Sequence, residues 1–278
     1  MATDYPILDL CAVLQVPRSS YYAWLRRPPS RRAQADQQLQ QSLKSLFLAQ
    51  RQVYGSPRLT ICLKRLGIPC GRNRVARHMR ALQLKARRKR AFKPKTTDSR
   101  HGQPIAPNRL ARQPQPTTVN QVWVSDITYV FTGQGWLYLG AVMDLCSRKI
   151  VGWATSESLQ TALVTRALQQ ALARQGKPDL HHSDRGCQYA SEAYRALLAQ
   201  QQITPSMSAA GNCYDNAHME SFWSSLKTEA LHHRYFPTRH HAQLAIFDYI
   251  ETFYNPKRLH SALGYRSPVD FERTIPHD

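Results

Sequence analysis

The sequence predicts a mixed-sheet α/β domain that follows an all-α region of the helix-turn-helix type. Charge divides the chain, because residues 1–120 hold 24 Lys and Arg against 4 Asp and Glu, whereas residues 121–278 hold 14 of each. The apolar pattern also changes, from helical spacing to strand-like alternation, and a proline-rich stretch separates the two. We therefore expect a helical region in residues 1–90, a basic linker in 91–114 and the α/β domain in 115–278.

The composition indicates a globular chain rather than a membrane-embedded or disulfide-stabilised one. Hydrophobic residues make up 42% of the 278 residues, and no apolar run approaches the roughly 18–20 residues of a membrane span. The N-terminal sequence lacks the pattern of a secretory signal. The six cysteines form no C-x-x-C pair and are expected to be reduced thiols.

Helical patterns fill the first region of the chain. A short amphipathic helix at residues 6–15 and a second helix through SYYAWLRR form one helix-turn-helix candidate. A Gln-rich helix at residues 34–50 carries an apolar stripe, which is typical of a core face or a partner face.

A second helix-turn-helix candidate follows. Ser56-Pro57 begins its first helix, and RNRVARHMRALQL forms its second. The second helix turns Val75, Met79 and Leu82 inward, and basic residues occupy its other faces, as in a helix that enters the DNA major groove. A surface helix with solvated arginines is the alternative. Residues 72–95 hold 11 Lys and Arg and no acid. The candidate DNA contacts are Arg72, Arg74, Arg77, Arg80, Arg87, Arg88, Lys89 and Arg90.

Alternating β-branched and aromatic residues predict the strands of the α/β domain, and Leu-rich stretches predict its helices. Gly133-Gln134-Gly135 is typical of a hairpin turn between the first two strands. Three antiparallel strands, then helices alternating with single strands, give a mixed sheet. The predicted strands cover residues 121–131, 136–145, 148–155, 178–182 and 203–207. The predicted helices cover residues 159–174, 191–202, 215–231 and 239–254.

Three carboxylates in this domain predict its chemistry. Asp126 lies within the first strand, Asp184 follows the end of a later strand, and 35 residues separate Asp184 from Glu220 on a long helix. Three acids brought together raise one another's pKa values unless cations join them, so the pattern indicates a carboxylate cage for a divalent metal such as magnesium. Asn216 and Lys227 share the helix face of Glu220, which would add an amide donor and a phosphate-binding cation.

The order Asp, Asp, 35-residue gap, Glu and Lys resembles the integrase-core DDE transposases. The stretches WVSDITYV, HSDRGCQY, GNCYDNAHMESFWSSLK and YNPKRLHSALGYRSPVDFE resemble the second-frame (OrfB) transposases of bacterial insertion sequences of the IS-three family. The similarity is dense over residues 115–272, and GRNRVARHMRALQL resembles that family's helix-turn-helix region. The resemblance implies an RNase H-like catalytic core.

The resemblance also implies a mechanism. Asp126, Asp184 and Glu220 would be the catalytic residues and would bind two Mg²⁺ ions, which Mn²⁺ could replace, for DNA cleavage and strand transfer at the ends of an insertion sequence. Lys227 would hold DNA beside the metals as a point charge, and Asn216 would be a further DNA contact.

Two residues near Asp184 carry their own expectations. His182 has two interpretations, contact with the site or a strand-end histidine with a backbone partner. Cys187 stands where the resemblance leads us to expect serine, and a soft thiol there should not bind magnesium.

Partners follow from the same resemblance. We expect duplex DNA at the terminal inverted repeats and at the target, a homo-oligomer on that DNA, and an upstream-frame (OrfA) protein or fusion. No membrane is expected, and the location would be the bacterial cytoplasm, in association with the nucleoid. Two other functions stay open from the residues alone. One is a DNA-binding regulator with an idle core, and the other is a nuclease of the RNase H type that cuts RNA in hybrids.

Overall fold

The computed structural model describes residues 5–87, 102–209 and 216–275. The chain divides into two compact units, Met1–Lys85 and Ala86–Asp278. Part of the expected linker belongs to the second unit, because the backbone N–H groups of Arg109 and Leu110 donate to the Ser206 hydroxyl at 2.9 and 3.3 Å. Within the described residues, no helix is long and apolar enough to cross a membrane.

The first unit is helical. Ser30 caps its longest helix by accepting a hydrogen bond from the Ala33 N–H at 3.2 Å. Pro57 lies in the first turn of another helix, where a missing N–H costs little. The helices in the described part of this unit are α1 (Ile7–Val13), α2 (Arg18–Leu25), α3 (Arg31–Ala49), α4 (Ser56–Arg65) and α5 (Arg72–Ala81).

Helices α3, α4 and α5 form the core of the first unit. The predicted stripe on α3 is buried, and it meets buried apolar residues of the following two helices. These core residues are Leu39, Leu43, Phe47, Leu59, Leu63, Val75 and Met79. The pair α4–α5 therefore forms the predicted second helix-turn-helix, with the inward faces expected from the sequence.

The second unit contains a mixed sheet with the strand order β3-β2-β1-β4-β5. The first three strands are antiparallel, whereas β1 pairs with β4, and β4 with β5, in parallel. Gly133 and Gln134 form the predicted hairpin turn between β1 and β2. The five strands confirm the prediction, with small shifts in their bounds: β1 (Val122–Thr132), β2 (Gly135–Asp144), β3 (Ile150–Ser156), β4 (Leu180–Ser183) and β5 (Thr204–Met207).

Helices cover the sheet. Trp123, Val142 and Val151 bury against helix α6 on one face. A side chain at Gly152 would clash with the α6 backbone at Ala167, so glycine permits this close packing. The helices on this face are α6 (Thr161–Gln175), α7 (Cys187–Ala190) and α8 (Glu192–Gln200). Strand alternation directs Asp126 to the face opposite Trp123.

Helices α9 (Ala217–Leu226) and α10 (Arg239–Tyr249) also contact the sheet, and a short helix α11 (Pro268–Glu272) follows. The long helices predicted at 215–231 and 239–254 change geometry near their ends. Lys227–Leu231 and Ile250–Tyr254 are π-helical turns, in which the N–H of the residue five positions on bonds back to the first carbonyl.

A buried ion pair holds the first of these π-helical turns. Glu229 accepts from Arg258 at 2.7 Å and from the Tyr249 hydroxyl at 2.7 Å, and both charged side chains are nearly inaccessible to solvent. Periodicity of the apolar residues does not encode such a contact, which explains why the sequence predicts regular helices there.

Candidate active site

Sheet register brings the two aspartates together. In the parallel pair β1–β4, Val124 lies opposite His182. Two residues further along each chain, Asp126 and Asp184 come side by side, where the carboxyl end of β4 meets the middle of β1. The pairing of β1 with β4 therefore directs the two aspartates to the same part of the sheet.

Asp126 is half-buried and hydrogen-bonded. Its Oδ1 accepts from the Ile127 N–H at 2.8 Å, and its Oδ2 accepts from Trp223 Nε1 at 2.9 Å. Burial, followed by the negative charges of Asp184 and Glu220, raises the pKa of Asp126 from 3.8 to about 7. A carboxylate in this state gains from a nearby cation, because the cation would offset both the desolvation and the repulsion.

Asp184 is oriented by the loop that follows β4. Its Oδ1 accepts from the Gly186 N–H at 2.9 Å. A Cβ atom at Gly186 would lie 3.0 Å from that same oxygen, closer than ordinary packing allows. The glycine therefore lets the backbone approach the carboxylate, as a site built around a fixed acid requires.

Glu220 lies in the first turn of α9, where the helix dipole favours an acid, and its side chain is exposed. Its charge contributes to the raised pKa of Asp126, so Glu220, like Asp184, lies within electrostatic range of Asp126. In residues 5–87, 102–209 and 216–275, however, no group of three His, Cys, Asp or Glu side chains is close enough to hold a metal ion.

Lys227 lies beside the acids. Its Nζ is 5.0 Å from the centre of the Tyr129 ring. Burial lowers the pKa of Lys227, and the negative charge of Asp126 opposes that shift. The ammonium is thus shared between an aromatic face and the field of the carboxylates, a position from which a point charge can meet a phosphate.

Asn216, predicted as a DNA contact, is buried with 8% of its surface exposed. Its Nδ2 donates to the Ser125 carbonyl at 3.4 Å, so it anchors the start of α9 to β1. Its burial gives Asn216 a structural role at the start of α9, and its contact with DNA stays a prediction.

His182 is buried next to β5. Its ring nitrogens pair with the hydroxyls of Ser206 and Ser208 at 2.9 and 3.1 Å, and the side chain is fully buried. These bonds tie β4 to β5 and to the residue that follows it, and both interpretations of this histidine stay predictions. Cys187 is exposed at the start of α7.

The basic residues of the first unit separate into two groups. Arg74 pairs with Asp36 of α3 at 2.7 Å, which fixes α5 to α3. Arg72, Arg77 and Arg80 are exposed, although Arg77 also lies 3.9 Å from Asp36.

The remaining predicted DNA contacts follow α5. Arg87 belongs to the second unit, where it donates to the Glu229 carbonyl at 2.6 Å. The predicted contacts Arg88, Lys89 and Arg90 lie outside the described residues.

Sequence reasoning missed two residues of the site. Trp223 follows Glu220 by three positions, a spacing that puts both on one helix face, so its contact with the acids had a signal in the sequence. The sequence signal for Gly186 was weaker, since a glycine two residues after an acid occurs in many turns.

Family models match most of the chain. A model described as an integrase core domain matches residues 116–213, and a second model with the same description matches residues 201–268. A model described as an HTH-like domain matches residues 33–92.

Curated relatives match over nearly the whole chain. The chain is 46% identical over 264 residues to the insertion element IS600 uncharacterized 31 kDa protein of Shigella sonnei, covering 94% of this chain and 97% of the relative. It is 41% identical over 275 residues to the transposase InsF for insertion sequence IS3A of Escherichia coli (strain K12), covering 97% of this chain and 94% of the relative.

A solved structure shares the fold. A chain of the simian T-cell lymphotropic virus intasome, in complex with PP2A regulatory subunit B56 gamma, matches with a TM-score of 0.50 and 16% identity. The match covers 81% of this chain and 78% of that chain. Together with the integrase core models, it confirms the expected RNase H-like core after a helix-turn-helix region.

Proposed function

This chain belongs to the IS3 family of insertion-sequence transposases, and we propose that Asp126, Asp184 and Glu220 are its catalytic, metal-binding acids. It is a DDE-type enzyme that cleaves DNA at the ends of a bacterial insertion sequence and transfers the strands, with the divalent-metal dependence of an integrase core. The observation that carries the proposal is the parallel register of β1 and β4, which runs toward Asp126 and Asp184, together with the hydrogen bond from Trp223 on the helix of Glu220 to Asp126.

The donor set fits a hard divalent cation. All three candidate ligands offer carboxylate oxygens, the ligands that Mg²⁺ and Mn²⁺ prefer. We propose that two such ions bind, and they would supply the charge that activates the attacking oxygen and stabilises the leaving oxygen of the scissile phosphate. Asp126 and Asp184 would hold them from the sheet, and Glu220 from helix α9.

The other side chains of the site would orient the acids and the DNA. Trp223 donates to Asp126 and so fixes the direction of that carboxylate. Lys227 would bind a phosphate of the strand being cut, because its ammonium lies in the field of Asp126 and against the open face of an aromatic ring. It is a positioning group for DNA rather than a metal ligand.

The test of this assignment is strand cleavage and joining on a labelled duplex that ends in the element's terminal repeat. Asp126→Asn, Asp184→Asn and Glu220→Gln keep the shape of the acids and remove the charge. Each should lower both steps by about 10²–10³-fold or more, the effect of removing one electrostatic stabiliser, while DNA binding persists. Asp179→Asn is the matched control, an exposed acid just before β4.

Each outcome has a clear meaning. Strand transfer retained in any one of the three variants would remove that acid from the site. Binding without cleavage by the wild-type chain in Mg²⁺ would instead favour a regulator with an idle core. Cleavage of RNA–DNA hybrids in preference to the terminal duplex would favour a nuclease of the RNase H type.

The first unit would supply the DNA contacts that hold the element ends. Arg72, Arg77 and Arg80 are exposed on α5, the second helix of the helix-turn-helix. Removing the cation that binds one phosphate should reduce the slope of log affinity against log salt by about one. We expect this reduction for Arg80→Ala, whereas Arg74→Ala should lower thermal stability, since Arg74 is the partner of Asp36.

We further propose that the enzyme acts as a homo-oligomer on DNA. An insertion sequence has two ends, and one chain carries one set of three acids, so at least two copies are needed to process both. An upstream-frame (OrfA) protein or fusion would contribute to binding the terminal inverted repeats, in the cytoplasm and in association with the nucleoid. Light scattering would give the mass of the complex between the protein and terminal DNA. A mass equal to one protein chain with two terminal duplexes would contradict this proposal.

A further inference from the structure

An aromatic cluster lies exposed on the β1–β2 hairpin beyond Asp126. Phe131 and Trp136 are 64% and 45% exposed, and their ring centres are 5.1 Å apart. Tyr129 packs edge-to-face on Trp136 at 4.9 Å. These three residues, here called the aromatic platform, form a continuous ring surface in contact with solvent.

The platform lies close to the active site but on the other face of β1, because Tyr129 and Phe131 are an odd number of residues from Asp126. Tyr129 and Phe131 follow Asp126 on the same strand, at about 10 and 17 Å along it from a rise of roughly 3.3 Å per residue. Lys227 links the two regions, because its Nζ is 5.0 Å from the Tyr129 ring centre and its pKa responds to the charge of Asp126.

Beside the platform, one flank of β1 has no paired strand among the described residues. The strand pairs with β2 along its whole length, but with β4 only from Val122 to Val124. From Asp126 onward, no strand in the described part of the chain covers that side. This edge separates the face of β1 that carries Asp126 from the face that carries the rings, so a nucleic-acid strand would cross it to reach both.

Hairpin stability does not account for exposed rings. Phe131 and Trp136 are cross-strand partners, and such a pair stabilises a hairpin. The turn, however, is already held by other bonds. The Thr132 hydroxyl donates to the Gly135 carbonyl at 2.6 Å, and the Gly133 N–H donates to the Phe236 carbonyl at 2.8 Å. Rings that serve packing alone are more often buried.

We propose that the aromatic platform stacks unpaired bases of the DNA strand within the first few nucleotides of the scissile phosphate. The inference rests on the proposed function, since it takes the acids as the point where the strand is cut. Stacking suits any base, because every base has a π-face, and Lys227 would neutralise a phosphate between the acids and the platform. The platform would thus hold the DNA end open while the acids act.

The test compares two substrates for single-turnover cleavage. One is a fully paired terminal duplex, and the other carries mismatches that leave the bases next to the cleavage site unpaired. Phe131→Ala and Trp136→Ala should each slow cleavage of the paired end by about tenfold, the loss expected from one base–aromatic stack. On the mismatched end the loss should shrink to about threefold or less, because the cost of unpairing is already removed.

The matched control is Phe247→Ala, an aromatic residue on α10 that is 49% exposed and distant in sequence from the hairpin. It should cleave both substrates at the wild-type rate. A paired variant set separates stacking from apolar packing: Trp136→Phe keeps a flat ring and should keep most of the rate, whereas Trp136→Leu should behave like Trp136→Ala. Thermal melting checks that every variant folds.

The outcomes separate this inference from the proposed function. Wild-type rates on the paired end in Phe131→Ala and Trp136→Ala would overturn the platform, and so would equal losses on both substrates or activity in Trp136→Leu equal to that of Trp136→Phe. None of these results would affect the assignment of the acids. Activity retained in Asp126→Asn would instead overturn the proposed function.

Discussion

The two sheet acids and the helix acid are held in different ways. Asp126 and Asp184 are half-buried, are aligned by strand register, and accept backbone hydrogen bonds at 2.8 and 2.9 Å. Glu220 is exposed on the first turn of α9. The contrast teaches that the sheet orients Asp126 and Asp184 before any substrate binds. The position of Glu220 depends instead on how helix α9 packs against the sheet.

Trp223 connects the two sides of this comparison. It lies on the helix that carries Glu220, and its indole N–H donates to the sheet acid Asp126. Asn216 docks the start of the same helix on the Ser125 carbonyl. The position of Glu220 is therefore set by contacts between α9 and β1. A substitution in α9 should alter the position of Asp126, and a substitution in β1 should alter the position of Glu220.

The largest effect is expected from disturbing the sheet side. In Gly186→Ala the added Cβ would lie 3.0 Å from Asp184 Oδ1, and the carboxylate must shift. Cleavage should fall by about 10–100-fold, as for other groups that orient a metal ligand. Gly102→Ala is the control, since a Cβ there meets nothing within 4 Å. Equal rates in both variants would show that the turn does not orient Asp184.

A smaller effect is expected where the helix meets the sheet. Trp223→Phe removes the hydrogen bond to Asp126 and keeps an aromatic ring, so metal affinity and cleavage should fall by about tenfold. Trp153→Phe removes the same kind of bond, to Glu251 at 2.9 Å, away from the acids. The two variants are compared by measuring the cleavage rate of each as a function of Mn²⁺ concentration. A loss of equal size in the control would mean that Trp223 acts through stability alone.

Substitution of Lys227 changes the helical part of the site and none of the three proposed metal ligands. Lys227→Ala should weaken engagement of terminal DNA by about threefold to tenfold and lower the salt slope by about one, because the variant no longer neutralises one phosphate. Lys227→Arg keeps the charge in another shape and should be partly active. Wild-type joining by Lys227→Ala at physiological salt would identify it as a helix lysine without a role.

The smallest effect concerns stability without metal. Because the pKa of Asp126 is raised above 3.8 to about 7, the folded state holds an extra proton between these values. Metal-free stability should therefore fall as pH rises through that window. At pH 8, Asp126→Asn should melt about 2–4 °C above the wild type. Calorimetry at pH 5 and pH 8 measures the melting temperatures of the wild type and of Asp126→Asn. A melting temperature of Asp126→Asn below that of the wild type at pH 8 would contradict the electrostatic account.

The sequence was sufficient for the order of elements, because the alternation that predicted the strands is a local signal. The assignment of Asp126, Asp184 and Glu220 to one site stays a prediction that rests on their order and on the family resemblance. The sequence could not predict contacts between distant residues. The ion pair of Glu229 with Arg258 involves a π-helical turn that periodicity predicts as regular helix. Similarly, burial of Asn216 depends on how α9 docks on β1, which no pattern along one helix records.

Anomalous diffraction from Mn²⁺ bound to the complex with terminal DNA tests the central claim most directly. The claim is that two acids of the sheet and one of the helix hold the metal together. The account predicts anomalous peaks in contact with carboxylate oxygens of Asp126, Asp184 and Glu220. Peaks held by the two sheet acids without Glu220, or peaks away from all three, would contradict it.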